Sequence, residues 1–373
     1  MVTRWCKDFK VLLLSPFVLT TAIAAETGAT QSSSDLSREQ SNHTISQQYL
    51  QPQAKWPALH ANAHADVAAL PAPLKVDTTL AAIGQRLFHD PKLSRDATIS
   101  CASCHKADHH FADKVRISPG VAGREGNRTS QMLRLVGHWD TLFWDGRVNE
   151  LTALVEQPLT HPKEMDSSIE HVMAYLATEP SYQAALADYF QAPLAWEHVA
   201  KAIAEFMRSV ENPPRRFDHF MRAITVGNSE QAAEFLTEQE RLGLHLFRTK
   251  AGCVQCHSGA LFSDQRLHNI GLTYYGRRFE DLGHFKISGK PEHVGAFRTP
   301  SLRYVTERKY LMHNGLFDDL LGIVRMYQHG GARPKPRPEQ ENDPLFPETS
   351  ALLVPFRLSK DEEYALLSFL GTL

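Results

Sequence analysis

Two short motifs constrain this chain more than any other feature: Cys101-Ala102-Ser103-Cys104-His105 and Cys253-Val254-Gln255-Cys256-His257. On a helical turn, positions i, i+3 and i+4 share one face, so each motif presents two thiols and an imidazole together. That arrangement attaches a c-type haem: the thiols add across the two vinyl groups, and the histidine ligates iron from one side. A lone CxxCH would also suit a redox dithiol or half a zinc site. The remaining cysteine, Cys6, lies near the N-terminus, so no cysteine is left over for a disulfide framework. Two covalently bound haem c groups are the reading these motifs support.

The N-terminus reads as an export signal. Arg4, Lys7 and Lys10 form a basic start, an apolar run extends from Phe9 to about Leu19, and Ala22-Ile23-Ala24-Ala25 offers a cleavage site. The run is shorter than the roughly 20 residues a bilayer span needs. A periplasmic protein with no membrane span after cleavage is expected. The formal charge of −2 gives no reason to expect nucleic acid as a partner.

The expected organisation is a signal peptide over residues 1–25, a flexible Ser/Gln/Ala/Pro-rich arm over 26–74, and two haem domains, 75–232 and 233–373. The halves repeat a pattern. Ile83-Gly84-Gln85-Arg86-Leu87-Phe88 precedes the first CxxCH and Phe111-Ala112-Asp113 follows it. Leu242-Gly243-Leu244-His245-Leu246-Phe247 precedes the second, and Phe262-Ser263-Asp264 follows. Apolar residues at helical spacing run from Ser168 to Tyr189 and from Leu194 to Val210, with a break at Asn212-Pro213-Pro214. Thr237 with Glu240, and Ser359 with Glu362, predict capping boxes; the second opens a helix to about Leu370. Arg333 to Pro347 reads as a loop. The predicted fold is mainly α: two cytochrome c-like haem domains related by internal duplication.

Further motifs make the reading specific. They are Leu142-Phe143-Trp144-Asp145-Gly146-Arg147, Gln157-Pro158-Leu159, Pro162-Lys163-Glu164-Met165, Gly295-Ala296-Phe297-Arg298-Thr299-Pro300-Ser301-Leu302-Arg303 and His313-Asn314-Gly315. With the two CxxCH motifs, residues 76–373 resemble the bacterial dihaem cytochrome c peroxidase/MauG family. The resemblance implies His105 as proximal ligand of a peroxide-binding haem and His257 as proximal ligand of an electron-transfer haem. It implies Trp144 as a relay between them, Glu164 as distal acid/base and Pro158 as part of the same distal pocket. Without that context, Trp144 would be a core aromatic and Glu164 a solvated carboxylate. His313 is read either as a donor to a haem propionate or as a turn cap, and His109 and His110 as surface residues.

The resemblance also separates two branches. Ordinary cytochrome c peroxidases carry a distal histidine on the first haem; the count here lands on Val121, which cannot ligate iron. They place a methionine on the second haem; here that position is Tyr327, as in MauG-type proteins, with Met326 the alternative ligand. Tyrosinate is a hard anionic donor that favours the more oxidised iron. Departures from the MauG pattern are Leu154 for a distal Gln and Ala251 for a surface Trp. A calcium ion near Thr129 or Asn127 is a further expectation of the resemblance.

The function expected is thus a periplasmic MauG-like peroxidase acting on hydrogen peroxide. Its reductant would be a cytochrome c, a cupredoxin or an oxidisable protein substrate. One alternative is an ordinary cytochrome c peroxidase with a small redox-protein donor. The other, of a different class, is a non-enzymatic dihaem electron carrier, which would need both axial positions filled on both haems.

Overall fold

The computed structural model describes residues 33–373, with side chains described from residue 37. The expected signal segment, residues 1–25, lies outside the described residues. The chain divides into two units, residues 1–41 and 42–373, and the second carries the cores and the site described below. Among the described residues, no helix is long and apolar enough to cross a membrane.

The fold is mainly α. Helix α1 spans Ser33–Gln48, α2 Thr78–Phe88, and α3, a single turn, Cys101–Cys104. Then follow α4 (Leu151–Thr160), α5 (Ile169–Leu176), α6 (Pro180–Phe190) and α7 (Trp196–Ser209). The second half holds α8 (Arg216–Thr225), α9 (Ser229–Phe235), α10 (Glu238–Arg248), the short α11 (Phe285–Ser288), α12 (Leu320–Gln328) and α13 (Lys360–Leu370). The helical stretch expected from Ser168 to Tyr189 is broken at Pro180, which opens α6 because proline suits a first helical turn. Both capping boxes form, at Thr237/Glu240 and Ser359/Glu362. The one sheet among the described residues pairs β1 (Leu267–His268) antiparallel with β2 (Phe297–Arg298), Leu267 opposite Arg298.

Each half is built on one close helix crossing. In α2, Asp77 caps the Leu80 N–H, and Leu80, Ile83, Leu87 and Phe88 form the buried face. That face lies on α7. A Cβ at Gly84 would stand 1.8 Å from the Ala202 carbonyl oxygen, so only glycine allows this approach. In the second half α10 crosses α13 the same way: a Cβ at Gly243 would stand 2.0 Å from the Ala365 oxygen. Gly84→Ala and Gly243→Ala are each expected to cost about 3 kcal/mol in chemical denaturation through overpacking. Helix propensity alone predicts a gain of about 1 kcal/mol, so the sign of the change decides between the two accounts.

Local turns recur as well. Leu142 bridges Val148 and Leu311 bridges Phe317. Inside these turns Phe143 and Met312 have positive φ (67° and 64°), as do Gly146 and Gly315 (63° and 64°). A non-glycine residue there is strained and must be held by its surroundings. The strained residues deliver Trp144 and His313, which occupy equivalent places in the two turns.

The expectation of a flexible arm to residue 74 is corrected over residues 42–74. Tyr49, Trp56 and Val67 are buried in one core with Phe217, Phe220 and Phe247. Arg248 holds the segment: it pairs with Asp66 at 2.6 Å, donates to the Tyr49 hydroxyl at 2.8 Å, and lies over the Trp56 ring at 5.0 Å. Apolar anchors and a buried guanidinium overrule the polar composition.

Candidate functional site

Both CxxCH motifs form the expected turn. The His105 N–H donates to the Cys101 carbonyl at 3.0 Å, and the His257 N–H to the Cys253 carbonyl at 2.9 Å. None of the four motif cysteines is in a disulfide. Burial pushes Cys101 and Cys253 up to about 12, so both are protonated. His105 Nδ1 lies 2.9 Å from the Phe111 carbonyl, and His257 Nδ1 lies 3.0 Å from the Phe262 carbonyl. A carbonyl can only accept, so each Nδ1 carries the hydrogen and each Nε2 keeps its lone pair for a metal. Burial lowers both imidazoles below the usual histidine range, which favours the neutral, ligating form. The repeated Phe after each motif therefore supplies the carbonyl that fixes the tautomer.

A cavity of about 420 Å³ is lined by both motifs together with Trp144, Leu154, Pro158, Glu164, Ala251, Arg298, Arg308, His313 and Tyr327. Its walls fit two haems. Arg298 is buried and Arg308 half-buried, with no carboxylate within 4 Å of either among the described residues; their hydrogen bonds go to carbonyls that include those of Phe143 and Ser130. Burial pushes each guanidinium down to about 10. A buried cation without a counter-charge is costly, and haem propionates would supply that charge. The His313 Nε2 is also buried without a partner. The two arginines were not singled out from sequence, although Arg298 stood inside a motif; charge in a buried position is visible only once the cavity exists.

On the first-haem side, Pro158 sits inside α4 and lacks the N–H that would bond the Leu154 carbonyl. The chain then turns back, with the Met165 N–H donating to the Pro158 carbonyl at 3.2 Å. Asp166 anchors this turn through Arg124 at 2.6 Å and Arg95 at 3.4 Å. Glu164 is thus carried on a braced loop. Its side chain is 47% exposed, yet neighbouring atoms still desolvate the carboxyl and raise it above the usual range, against His161, whose Nδ1 stands 3.7 Å away, and Arg147. Val121 is buried, and its N–H donates to the Glu164 carbonyl at 2.8 Å. On the second side, Tyr327 lines the cavity and Met326 does not. Burial pushes the Tyr327 phenol well above its usual range, with the Cys256 and Cys253 sulfurs adding to the effect.

Trp144, which also lines the cavity, is buried, with its Nε1–H donating to the Thr129 carbonyl at 3.0 Å. Its ring meets the His313 ring edge-on at 6.4 Å, and His313 stacks on Phe297 at 3.8 Å. Burial pushes His313 down to about 4, so it is neutral. Beside them Arg128 donates to both oxygens of Asp281 (2.7 and 2.8 Å) and to Asp145 at 2.6 Å; Arg147 also reaches Asp145, at 2.9 Å. Burial alone would raise both carboxyls, but Arg128 holds them below the usual range. This clamp, which joins positions 153 residues apart, was invisible in sequence.

Thr129 and Asn127, expected near calcium, give it no support. The Thr129 N–H donates to the His313 carbonyl at 2.8 Å and its hydroxyl to the Met312 carbonyl at 3.2 Å, Asn127 is exposed, and Arg128 supplies the positive charge between the two acids. The one group of three metal-capable side chains found among the described residues is Cys256, Asp264 and His268, and it shares its cysteine with the second haem motif. His110, expected as a surface residue, is half-buried, pairs with Glu307 at 2.6 Å and stacks on Tyr304.

A mainly helical fold around two CxxCH turns that share one cavity defines a dihaem cytochrome. The family profile for di-haem cytochrome c peroxidase matches residues 78–225. The methylamine utilization protein MauG of Methylorubrum extorquens is 32% identical over 300 residues, covering 78% of this chain and 77% of its own. Cytochrome-c peroxidase IdrP2 of Denitromonas iodatirespirans is 27% identical over 340 residues, covering 84% and 86%. Among solved structures, a MauG-like protein associated with microbial copper homeostasis superposes with a TM-score of 0.69 at 28% identity, covering 82% of this chain and 92% of that one. The chain belongs to the dihaem cytochrome c peroxidase/MauG family and is an oxidoreductase of the dihaem peroxidase type.

Proposed function

We propose that the protein is a periplasmic, MauG-like dihaem peroxidase that reduces hydrogen peroxide on the His105 side of the cavity. The observation that carries this reading is the inequality of the two sides: in the shared cavity Glu164 stands near Cys104, and Tyr327 near Cys253 and Cys256. Two haems c, attached through Cys101/Cys104 and Cys253/Cys256, would supply the redox chemistry with peroxide. The chain's own residues then divide the remaining work. Val121 would offer the first iron no ligand, which would leave that side open to peroxide without prior reduction. The ionised Glu164 carboxylate takes a proton from incoming peroxide and returns it to the leaving oxygen. Leu154 and Pro158 wall that side, which limits bulk water. Tyr327 would hold the second iron, its phenol giving up its proton to act as a hard anionic donor. Trp144 passes electrons between the sides; its N–H faces a carbonyl, which cannot take the proton, so the indole transfers charge without losing it.

The matched turns and helix crossings support an internal duplication, with haem domains over 75–232 and 233–373. Residues 1–25 are proposed as the export signal. The reductant is proposed to be a cytochrome c, a cupredoxin or an oxidisable protein. An ordinary cytochrome c peroxidase is the second reading, and the relatives that bear that name favour it. The Tyr327→Phe variant tests the assignment. The resting ferric protein is expected to combine one high-spin and one low-spin haem, and the variant to lose the low-spin signature. A spectrum unaltered by the change would move the ligand to Met326.

A further inference from the structure

The turns that deliver Trp144 and His313 also correspond further back along the chain. Leu135 and Tyr304, nine residues before each, both have positive φ (66° and 59°), and each opens a short 3-10 turn. Five residues before Trp144 and His313 stand Trp139 and Arg308, and both line the cavity. At the first place Arg298 lies over the Trp139 ring at 3.7 Å, so that cation has an aromatic face against it. At the second, the Arg308 guanidinium has neither a ring nor a carboxylate against it among the described residues.

Arg308 belongs to the second half of the chain, yet it reaches the first haem site. It donates to the Ser130 carbonyl at 2.9 Å, and the Ser130 hydroxyl accepts the Asp113 N–H at 2.8 Å. Asp113 closes the Phe-x-Asp segment that follows the first CxxCH. The Arg308 charge is felt at His105: burial lowers that imidazole most, and Arg308 adds to the effect. The acids nearby have cations of their own. Asp113 pairs with Lys106 at 2.6 Å, and Glu307 pairs with Arg215 and with His110. Among the described residues Glu164 is the one carboxylate that lines the cavity, and His161 and Arg147, not Arg308, act on it. The Arg308 charge is therefore left unbalanced, on the cavity wall beside His105.

We propose that Arg308 is a positioning residue for the first haem: it binds a propionate of that haem across the boundary between the halves and raises its reduction potential. The inference rests on the peroxidase reading above and gives the His105 side a further residue. A guanidinium meets a carboxylate through two parallel N–H groups, a fit that an ammonium lacks. Its positive charge offsets that of the propionate and so favours the reduced iron. The exchange it favours moves one electron from the second haem to the first, with no bond made or broken, and the reductant named above restores the second. The first haem site is complete only with the second half against it.

The test is an optical redox titration of the haem-loaded full chain, which reads the two haems separately. In Arg308→Gln and in Arg308→Met the high-spin haem is expected to favour the oxidised iron about tenfold more than in wild type. For a one-electron couple that is a potential about 59 mV lower. The low-spin haem should keep its potential. Arg308→Lys keeps the charge and should recover most of the shift. Haem content should match wild type in all three variants, since no cysteine is changed. A high-spin potential equal to that of wild type in either charge-free variant, or a shift confined to the low-spin haem, would overturn the assignment and leave the peroxidase reading intact. A wild type with two low-spin haems and no reaction with peroxide would overturn both.

Discussion

Glu164→Gln is expected to slow the reaction with hydrogen peroxide by about 10²- to 10⁴-fold, with haem content and melting temperature unchanged. Glutamine keeps the size of the side chain and its hydrogen-bonding capacity but cannot accept a proton. The loop that presents it is held by Asp166 with Arg124 and Arg95, and by Val121 on the Glu164 backbone, none of which the substitution touches. The pH profile gives an independent check. As a base, Glu164 must be ionised, so the rate falls as pH drops through its pKa. Desolvation by neighbouring atoms raises that pKa, so the acid limb should lie above the usual glutamate range. The limb should vanish in Glu164→Gln. A variant as fast as wild type would show that the carboxylate only faces solvent.

The largest expected effect on stability is at the fully buried pair Arg303–Asp218, both at 0% side-chain exposure and 2.8 Å apart. Arg303 also donates to the carbonyls of Ala260 and Ala68. Asp218 accepts the N–H groups of Leu70 and Arg215. The pair thus ties the 66–70 segment, the loop after the second CxxCH and the start of α8 to one point. Asp218→Asn leaves the guanidinium without its counter-charge and turns an amide N–H toward a backbone N–H. Breaking one side of such a pair costs about 3–5 kcal/mol, or roughly 6–10 °C in Tm. Adding Arg303→Met should recover part of the loss, because no lone charge then remains buried; strictly additive losses would contradict the pairing.

The contrast between these two sites explains what could be read in advance. Local chemistry was legible. The CxxCH spacing fixes a turn within five residues, Thr237 and Ser359 announce their capping partners three residues on, and Gly84 and Gly243 stand at repeated places. Motif order singles out Glu164, Trp144, Pro158 and Tyr327, and all four line the cavity. What stayed hidden depends on partners far along the chain. Residues 42–74 look like a solvated arm until Arg248 meets Asp66 and Tyr49. Arg128 looks like a surface cation until Asp281 closes over it. Pro180 lies inside a continuous apolar pattern, and only its covalent geometry divides α5 from α6. Buried arginines such as Arg298 carry no sequence signal, since burial is a property of the assembled cavity.

The most direct test of the two unequal sides is to add one equivalent of hydrogen peroxide to the fully oxidised, haem-loaded protein and follow the optical spectrum. The account predicts a resting mixture of high-spin and low-spin haem that reacts on mixing, with no prior reduction. A resting spectrum that is entirely low-spin, and that stays inert until one haem has been reduced, would contradict it.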